Sequence, residues 1–411
     1  MLRKAYSRFC YLRSDKIKSE GCIRRVTPDD GYEYFFGYYD KSPWNSAGDQ
    51  MLCMRTKRTW VKADSDDPAD IVLVNLSDKT LTCLATTHSW NVQQGCMLQW
   101  LGPDFNRHII YNDFRHGLFC SVILDIETRE ERVIEQPVYA VANDGSFALT
   151  LDFARLHRLR PGYGYCNLGD NKDVEPLPES ACVKKINLKE GSVVDILRYR
   201  DLVDFEPRRD FADAVHGVNH IMISPNNERF MVLHRWFVDG RIQQAFKKTR
   251  LLTCRTDGTD MYNLSDDSMV SHCWWRDDKH ILSFAQKKDL VGYFLLSDKS
   301  TEYLNYWPEF NNVDRNNNDG HPSYSPDGSR VITDTYPDYQ RKARIRLITR
   351  PDTQDYSIQT VATVFHPFKY DNDTRCDLHP RWSRSGDRVC FDGVFEGRRA
   401  LYVVEIDELN K

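Results

Sequence analysis

The sequence has few of the features that characterise exported, membrane-spanning or nucleic-acid-binding proteins. No segment of the 411 residues approaches the roughly 18 uninterrupted apolar residues of a membrane span, and residues 1–21 lack the apolar run of a signal peptide. The formal net charge is only −4, so no basic field favours nucleic acid. The twelve cysteines form no CxxC pair, and without an export signal we expect them to be reduced. The sequence therefore predicts a cytoplasmic protein without a nucleic-acid partner.

Common catalytic and nucleotide-binding motifs are also absent. The sequence contains no P-loop, GxGxxG, HExxH or GxSxG motif. Residues 314–320 resemble a calcium loop, but the glycine is one position late and no glutamate stands at the twelfth position. A solvated turn is the favoured interpretation of that run.

The sequence does contain a repeated unit of short strand-like runs. Aromatic residues make up 12 % of the chain, which suits the pleated surfaces of packed sheets. The clearest copy begins at Asp319 and reads DGHPSYSPDGSRVITD, in which Asp327 and Gly328 supply a hairpin turn. Four short strands joined by hairpins at this period predict the blade of a β-propeller.

Seven such units predict an all-β fold, a seven-bladed β-propeller with four-stranded blades, as one domain over residues 1–411. The innermost strands are expected to begin at Tyr39, Cys96, Val138, His220, His272, His321 and His379. Residues 155–180 lie in the longest gap, and their Gly and Pro content indicates an inserted loop. Only about three strands follow the last start, so residues 22–27 are expected to supply the missing outer strand and close the ring.

Residues 1–21 are interpreted as a basic N-terminal tail. Between positions 3 and 25, eight Lys or Arg residues stand against two acids. A solvated tail is the simpler interpretation, and weak attraction to an anionic membrane surface or polysaccharide is the alternative.

Histidines carry the strongest chemical signal. Four of the seven innermost strands have histidine at the same position, namely His220, His272, His321 and His379. The first strand of each propeller blade lines the central channel, so these equivalent positions converge around the axis. Four imidazoles on one rim can hold a divalent metal or act in acid–base chemistry. Hydrogen bonding between neighbouring blades is the structural alternative.

Basic residues concentrate in the loops between second and third strands, which are expected to open on the same face as this rim. Such residues include Arg160, Arg235 and Lys247. A nearly neutral protein that collects its cations on one face suits an anionic ligand, although loops are often charged merely for solvation. The candidate substrate-binding residues are Arg58, Arg115, Arg158, Arg344 and Arg398.

The segments HPSYSPDGSRVITD and HPRWSRSGDRVCFD resemble the TolB-type propeller repeat. With histidine at several strand starts, residues 217–405 resemble the oligogalacturonate lyase group of seven-bladed propeller enzymes. That group binds a divalent metal, typically manganese, through three histidines, two of them spaced H-x-H, and one glutamine. The resemblance implies manganese, with calcium or zinc as alternatives, bound by His272, His321 and His379, and it implies His220 as the base. This chain contains no H-x-H.

The reaction implied by the resemblance is β-elimination at a uronate of an anionic oligo- or polysaccharide. It requires a neutralised carboxylate, a base for the C5 proton and an acid for the leaving oxygen. The candidates are His220 or His234 as base, Arg235 or Arg115 for the carboxylate, and Tyr38 or Tyr336 as acid. A propeller that binds an anionic glycan or a protein partner without catalysis is the alternative.

Overall fold

Seven antiparallel sheets surround one channel in the computed structural model, which describes residues 2–13, 18–170, 173–310, 319–353 and 355–406. Each sheet is one blade, and the strands within a blade follow each other in chain order from the channel outward. The seven-bladed propeller predicted from the repeats is therefore confirmed. The calcium-like run at 314–320 lies mostly outside the described residues.

The first three blades are built from strands β3 to β14. Blade 1 contains β3 (Glu33–Phe35), β4 (Gln50–Thr56), β5 (Ala69–Asn75) and β6 (Leu81–Thr87). Blade 2 contains β7 (Gln99–Trp100), β8 (His108–Arg115), β9 (Leu118–Asp125) and β10 (Glu131–Ile134). Blade 3 contains β11 (Ala140–Val141), β12 (Phe147–Thr150), β13 (Ala181–Asn187) and β14 (Val193–Arg198).

The remaining four blades follow the same order. Blade 4 contains β15 (Val215–Ile223), β16 (Arg229–Phe237), β17 (Lys247–Arg255) and β18 (Tyr262–Ser265). Blade 5 contains β19 (Val270–Trp275), β20 (His280–Lys287), β21 (Leu290–Ser297) and β22 (Tyr303–Trp307). Blade 6 contains β23 (Ser323–Tyr324), β24 (Arg330–Asp334), β25 (Lys342–Thr349) and β26 (Ser357–Phe365). Blade 7 contains β27 (Arg381–Trp382), β28 (Arg388–Gly393) and β29 (Ala400–Glu405).

The N-terminal segment completes the last two blades. Strand β2 (Ile23–Arg25) pairs antiparallel with β29 as the outer strand of blade 7, with Ile23 opposite Val404. The backbone N–H of Val26 then donates to Leu401 at 2.9 Å, which extends the pairing beyond the strand. Strand β1 (Ser19–Glu20) adds a fifth strand to blade 6 against β26. Closure by an N-terminal strand is confirmed, and it removes the open edge that blade 7 would otherwise expose.

Within the described residues, three α-helices lie outside the blades. Helix α1 (Leu2–Leu12) occupies most of the segment interpreted above as a tail, and α3 (Tyr199–Asp204) follows blade 3. Helix α2 (Phe153–Leu159) begins the long connection of blade 3, and the Asp152 carboxylate caps it by accepting from the backbone N–H of Arg155 at 2.8 Å. None of the described helices is long and apolar enough to cross a membrane.

Truncation tests the closure. Deleting residues 1–26 removes β2 and the buried Val26, so several backbone hydrogen bonds and apolar contacts of blade 7 are lost. We expect the apparent melting temperature to fall by roughly 5–10 °C, because each bond contributes about 1 kcal/mol and the apolar burial adds to it. Deleting only residues 1–17 keeps both strands and is the matched control. Equal melting of the two truncated proteins would show that β2 does not close the ring.

Candidate functional site

Four histidines form a continuous row around the channel. The ring centroids of His220 and His272 are 6.1 Å apart, those of His272 and His321 4.1 Å, and those of His321 and His379 4.2 Å. All four side chains are buried. Residues from blades 4, 5, 6 and 7 therefore meet at one end of the channel, although about 50 positions separate neighbours in the sequence.

Irregular backbone aims these side chains into the channel. The pairing of β15 with β16 shifts register between Asn219 and Met222, and His220 within this bulge has φ +53°. His379 precedes β27 and also has a left-handed φ of +47°. Non-glycine residues adopt such angles only where the surrounding structure enforces them, and bulges often re-aim a side chain beside a functional site.

Hydrogen bonds fix the orientation of two of the rings. The Nδ1 atom of His321 lies 2.9 Å from an Asp334 oxygen, and Nδ1 of His379 donates to the carbonyl of Gly37 at 2.8 Å. The Nε2 atoms of both rings are buried and have no hydrogen-bond partner among the described residues. A buried ring nitrogen without a hydrogen-bond partner is costly, so these two Nε2 atoms favour a bound ligand.

Asp377 joins these two histidines in a group that could hold a divalent metal, and its carboxylate oxygens also accept hydrogen bonds from the Arg375 guanidinium. One ligand atom from each of His321, Asp377 and His379 lies within 4.8 Å of the others, and all three residues are buried. Burial holds the pKa of His379 well below its ordinary value, which keeps this imidazole neutral, as a metal ligand must be. Two imidazoles and a carboxylate are a donor set that manganese or zinc accepts.

His272 lies beside this group but is oriented differently. Its Nδ1 lies 2.8 Å from Oδ1 of Asp319, and burial lowers the pKa of His272 although Asp319 opposes that shift. Two of the three ligands implied by the family resemblance, His321 and His379, thus lie in one group in the structure. The third member of that group is Asp377, which the sequence analysis did not identify. Asp377 and His379 are two positions apart, as are the two histidines of the H-x-H pair. An Asp-x-His pattern could therefore have identified Asp377 as a candidate ligand from the sequence.

Tyr38 and His220 contact each other at the rim, where the Tyr38 ring also lies edge-on to His379 at 5.0 Å. The Tyr38 hydroxyl lies 3.4 Å from Nε2 of His220, and the two rings stack at 5.1 Å. Burial, and next the charge of Arg235, hold the pKa of His220 well below its ordinary value, while burial raises the pKa of Tyr38 far above its own. At neutral pH His220 is therefore a neutral imidazole and Tyr38 a protonated phenol.

Tyr336, the second predicted acid, also reaches the rim. Its ring meets that of His321 edge-on at 6.1 Å, and the Arg375 guanidinium lies 4.3 Å above its centroid. Burial raises the pKa of Tyr336 well above the ordinary value. No described contact joins Tyr336 to His220, so Tyr38 is the better placed of the two.

A small cavity beside His220 has several basic residues in its lining. The cavity has a volume of about 30 Å³ and lies between α2 and blade 4. Its lining includes Arg160, Asn219, Arg235 and Lys247. Nε and one terminal nitrogen of the buried Arg235, Nε of Arg160 and the Asn219 amide have no hydrogen-bond partner among the described residues. Burial, followed by the charge of Arg160, lowers the pKa of Arg235 to about 10. An anion held here would accept hydrogen bonds from the two guanidinium groups and from the Asn219 amide N–H.

His234, the alternative candidate base, lies inside blade 4 with its ring hydrogen-bonded. Its Nε2 lies 3.0 Å from Nδ1 of His216, and its Nδ1 accepts a hydrogen bond from Nε of Arg250 at 3.2 Å. Both ring nitrogens are therefore engaged inside blade 4. Adjacent residues on a strand face opposite sides, so Arg235 reaches the cavity while His234 turns away from it.

The predicted substrate-binding arginines lie mostly away from the rim. Four of them face carboxylates of neighbouring loops or strands rather than the channel. The pairs are Arg58–Asp67 at 3.7 Å, Arg115–Asp113 at 2.8 Å, Arg344–Asp338 at 3.0 Å and Arg398–Asp29 at 3.8 Å. Arg158, on α2, has a buried Nε without a partner among the described residues but does not line the cationic cavity. Each of these four arginines, including Arg115 as the alternative carboxylate partner, already pairs with an acidic side chain of the protein.

Comparison with known proteins finds the same architecture in lyases. No protein-family model and no curated protein matches the chain. An oligogalacturonate lyase from Vibrio parahaemolyticus is 16 % identical with a TM-score of 0.62, and 95 % of this chain aligns with 94 % of that one. An oligogalacturonate lyase in complex with manganese is 15 % identical with a TM-score of 0.65, over 97 % and 96 % of the two chains. The predicted resemblance is confirmed at the level of the fold.

Manganese titration distinguishes the two possible ligand sets. We expect Asp377→Asn to weaken Mn²⁺ binding roughly tenfold or more, measured by calorimetry on protein freed of metal with a chelator, because a charged ligand is lost. Asp319→Asn is the matched control, since this acid orients His272 instead, and we expect it to change the affinity less than about threefold. A larger effect of Asp319→Asn or His272→Ala than of Asp377→Asn would assign the site to His272.

Proposed function

We propose that this protein binds an anionic, uronate-containing saccharide at the channel rim and cleaves it by β-elimination. The observation that carries the proposal is a partly unpaired, buried guanidinium, that of Arg235, in a cationic cavity next to a neutral imidazole and a protonated phenol. This combination supplies the three requirements of the reaction, which are carboxylate neutralisation, a base and an acid. The likeness in fold to the oligogalacturonate lyases agrees with it.

Arg235 is the proposed partner of the uronate carboxylate. A guanidinium presents parallel N–H groups that fit the two oxygens of a carboxylate, and burial strengthens the interaction. The cavity of about 30 Å³ has room for a carboxylate but not for a sugar ring. The ring must therefore lie in the channel mouth, with its carboxylate directed towards Arg235 and Arg160.

Proton transfer follows from the placement of His220 and Tyr38. His220 removes the proton at C5, the C5–H electron pair forms the C4–C5 double bond, and the C4–O bond breaks. The leaving oxygen takes its proton from the Tyr38 hydroxyl. Transfer of the abstracted proton from His220 to the Tyr38 phenolate, across the 3.4 Å contact, restores both groups. One saccharide thus gives an unsaturated and a saturated fragment without any co-reactant.

Binding of the substrate itself prepares the base. The charges of Arg235 and Arg160 help to depress the pKa of His220 in the free protein. A carboxylate between those guanidinium groups offsets their charge, which raises the basicity of His220 at the moment when the C5 proton must be removed. The free protein keeps this histidine unprotonated and ready to accept a proton.

His321, Asp377 and His379 are the residues that would hold a divalent cation, with manganese as the first candidate. When bound, such a cation would draw electron density from the uronate carboxylate and make the C5 proton more acidic. Asp334 and Gly37 hold the two histidine rings in the orientation that this role requires.

Turnover of uronate oligosaccharides, followed by the ultraviolet absorbance of the unsaturated product, tests the proposal. We expect His220→Ala and Tyr38→Phe each to lower kcat by roughly 10²–10⁴, since each removes one proton-transfer group. Arg235→Ala should weaken binding by about one to two decades, because a charge-assisted contact worth ~1.5–3 kcal/mol is lost. Arg398→Ala, on an exposed loop, is the control and should turn over like the wild type.

A His220→Ala protein with full activity would remove this histidine from the mechanism. Binding of uronate oligosaccharides without any product, in the presence of manganese, would contradict the lyase proposal and favour a non-catalytic binding propeller.

Ligand binding should also be linked to proton uptake at Lys247. Burial, followed by the charge of Arg235, lowers the pKa of Lys247 to about 5, so the amine is neutral in the free protein at pH 7. A bound carboxylate favours the ammonium form and therefore raises this pKa. We therefore expect uptake of up to about one proton on binding at pH 7, measured by calorimetry in buffers of different ionisation enthalpy.

Lys247→Met is the control for this linkage. It should bind the same oligosaccharide without buffer-dependent heat. If Lys247→Met takes up as many protons on binding as the wild type, or if the wild type takes up none, Lys247 is not the group that is protonated.

A further inference from the structure

Helix α1 exposes its apolar side to solvent. Tyr6, Phe9 and Leu12 are spaced by three residues and therefore share one face of the helix. Their exposed fractions are 55 %, 49 % and 72 %. A surface helix normally buries its apolar stripe and exposes its polar one, so the arrangement of α1 is reversed.

The opposite face of α1 holds the helix on blade 6. The Ser7 hydroxyl donates to the carbonyl of Tyr339 at 2.9 Å, and the Tyr11 ring stacks on Phe365 at 4.9 Å. Lys4 forms an ion pair of 2.7 Å with Asp371. These contacts fix the orientation of the helix, so the outward position of its apolar residues follows from how it docks.

Positive charge surrounds the exposed apolar face. Residues 2–13 contain no acid, and Arg8, Arg13 and Lys18 are all exposed. The Arg13 guanidinium lies 4.2 Å above the Phe9 ring, at the edge of the apolar face. Aromatic and aliphatic side chains bordered by cations are the pattern of a helix that lies in the interface of an anionic bilayer.

We propose that α1 binds the surface of an anionic lipid bilayer, with Tyr6, Phe9 and Leu12 entering the boundary between headgroups and acyl chains. Arg8, Arg13 and Lys18 contact lipid phosphates and carboxylates. A second copy of the chain is a poorer occupant, because three side chains supply far less area than the ~1,200 Å² of a stable dimer and two basic faces repel each other.

Membrane binding through α1 would turn the channel mouth towards the bilayer. Tyr339, which α1 contacts, lies in the loop between β24 and β25, and Phe365 ends β26. Both positions open on the face of the propeller that carries His321 and His379. Substrates presented at a membrane surface would thus meet the rim directly.

Sedimentation with lipid vesicles tests this proposal. The full-length protein should sediment with vesicles of phosphatidylserine and phosphatidylcholine and not with phosphatidylcholine alone. We expect the variant Phe9→Glu with Leu12→Glu to lose binding at least tenfold, and Arg8→Gln with Arg13→Gln to lose roughly fivefold per charge.

Leu304→Glu is the matched control, because Leu304 is equally exposed on β22, away from α1. It should bind vesicles like the wild type, and melting curves of all variants check that the fold is kept. Failure of the wild type to bind anionic vesicles, or equal loss in Leu304→Glu, would overturn the proposal. A dimer seen by light scattering and abolished by Phe9→Glu would assign the face to a second copy instead.

Discussion

The geometry of the rim depends on the pairing of β2 with β29. The sheets of a propeller pack chiefly on the sheets beside them, so the ring is closed only when blade 7 is completed. Closure brings Gly37 and Tyr38 of the first blade against His379 and Arg381 of the last. The Nε of Arg381 donates to the carbonyl of Tyr38 at 3.1 Å, and its buried guanidinium also pairs with Asp392 at 3.0 Å.

The rim combines two groups of charge that need different ligands. His321, His379 and Asp377 offer donors to a cation, whereas Arg160 and Arg235 offer positive charge to an anion. His220 and Tyr38 also belong to this rim. A uronate bridging the two groups would present its carboxylate to the cations and its C5 proton to the base. This division of charge supports the proposed lyase over a non-catalytic binding propeller.

The repeat pattern predicted the fold and the histidine row because both follow from strand register. Each rim histidine keeps the same place relative to a hairpin turn, so a single sequence reveals its position. The repeat pattern does not predict which of the neighbours His234 and Arg235 faces the rim. They are adjacent on β16, opposite Gly217 and Val218 of β15, and only the pleat of the folded strand decides which one faces the rim. Arg58 and Arg398 look equally available in sequence, and their acidic partners become visible only in three dimensions.

We propose above that the buried positive charge at Arg235 recognises a carboxylate. The most direct test compares the affinity of the protein for one uronate oligosaccharide with its affinity for the methyl ester of that oligosaccharide. The ester has the same rings and linkages but no negative charge. Calorimetric titration of the free acid should give the tighter binding by at least about tenfold, since a charge-assisted pair is lost in the ester. Equal affinity for the acid and the ester would contradict the claim.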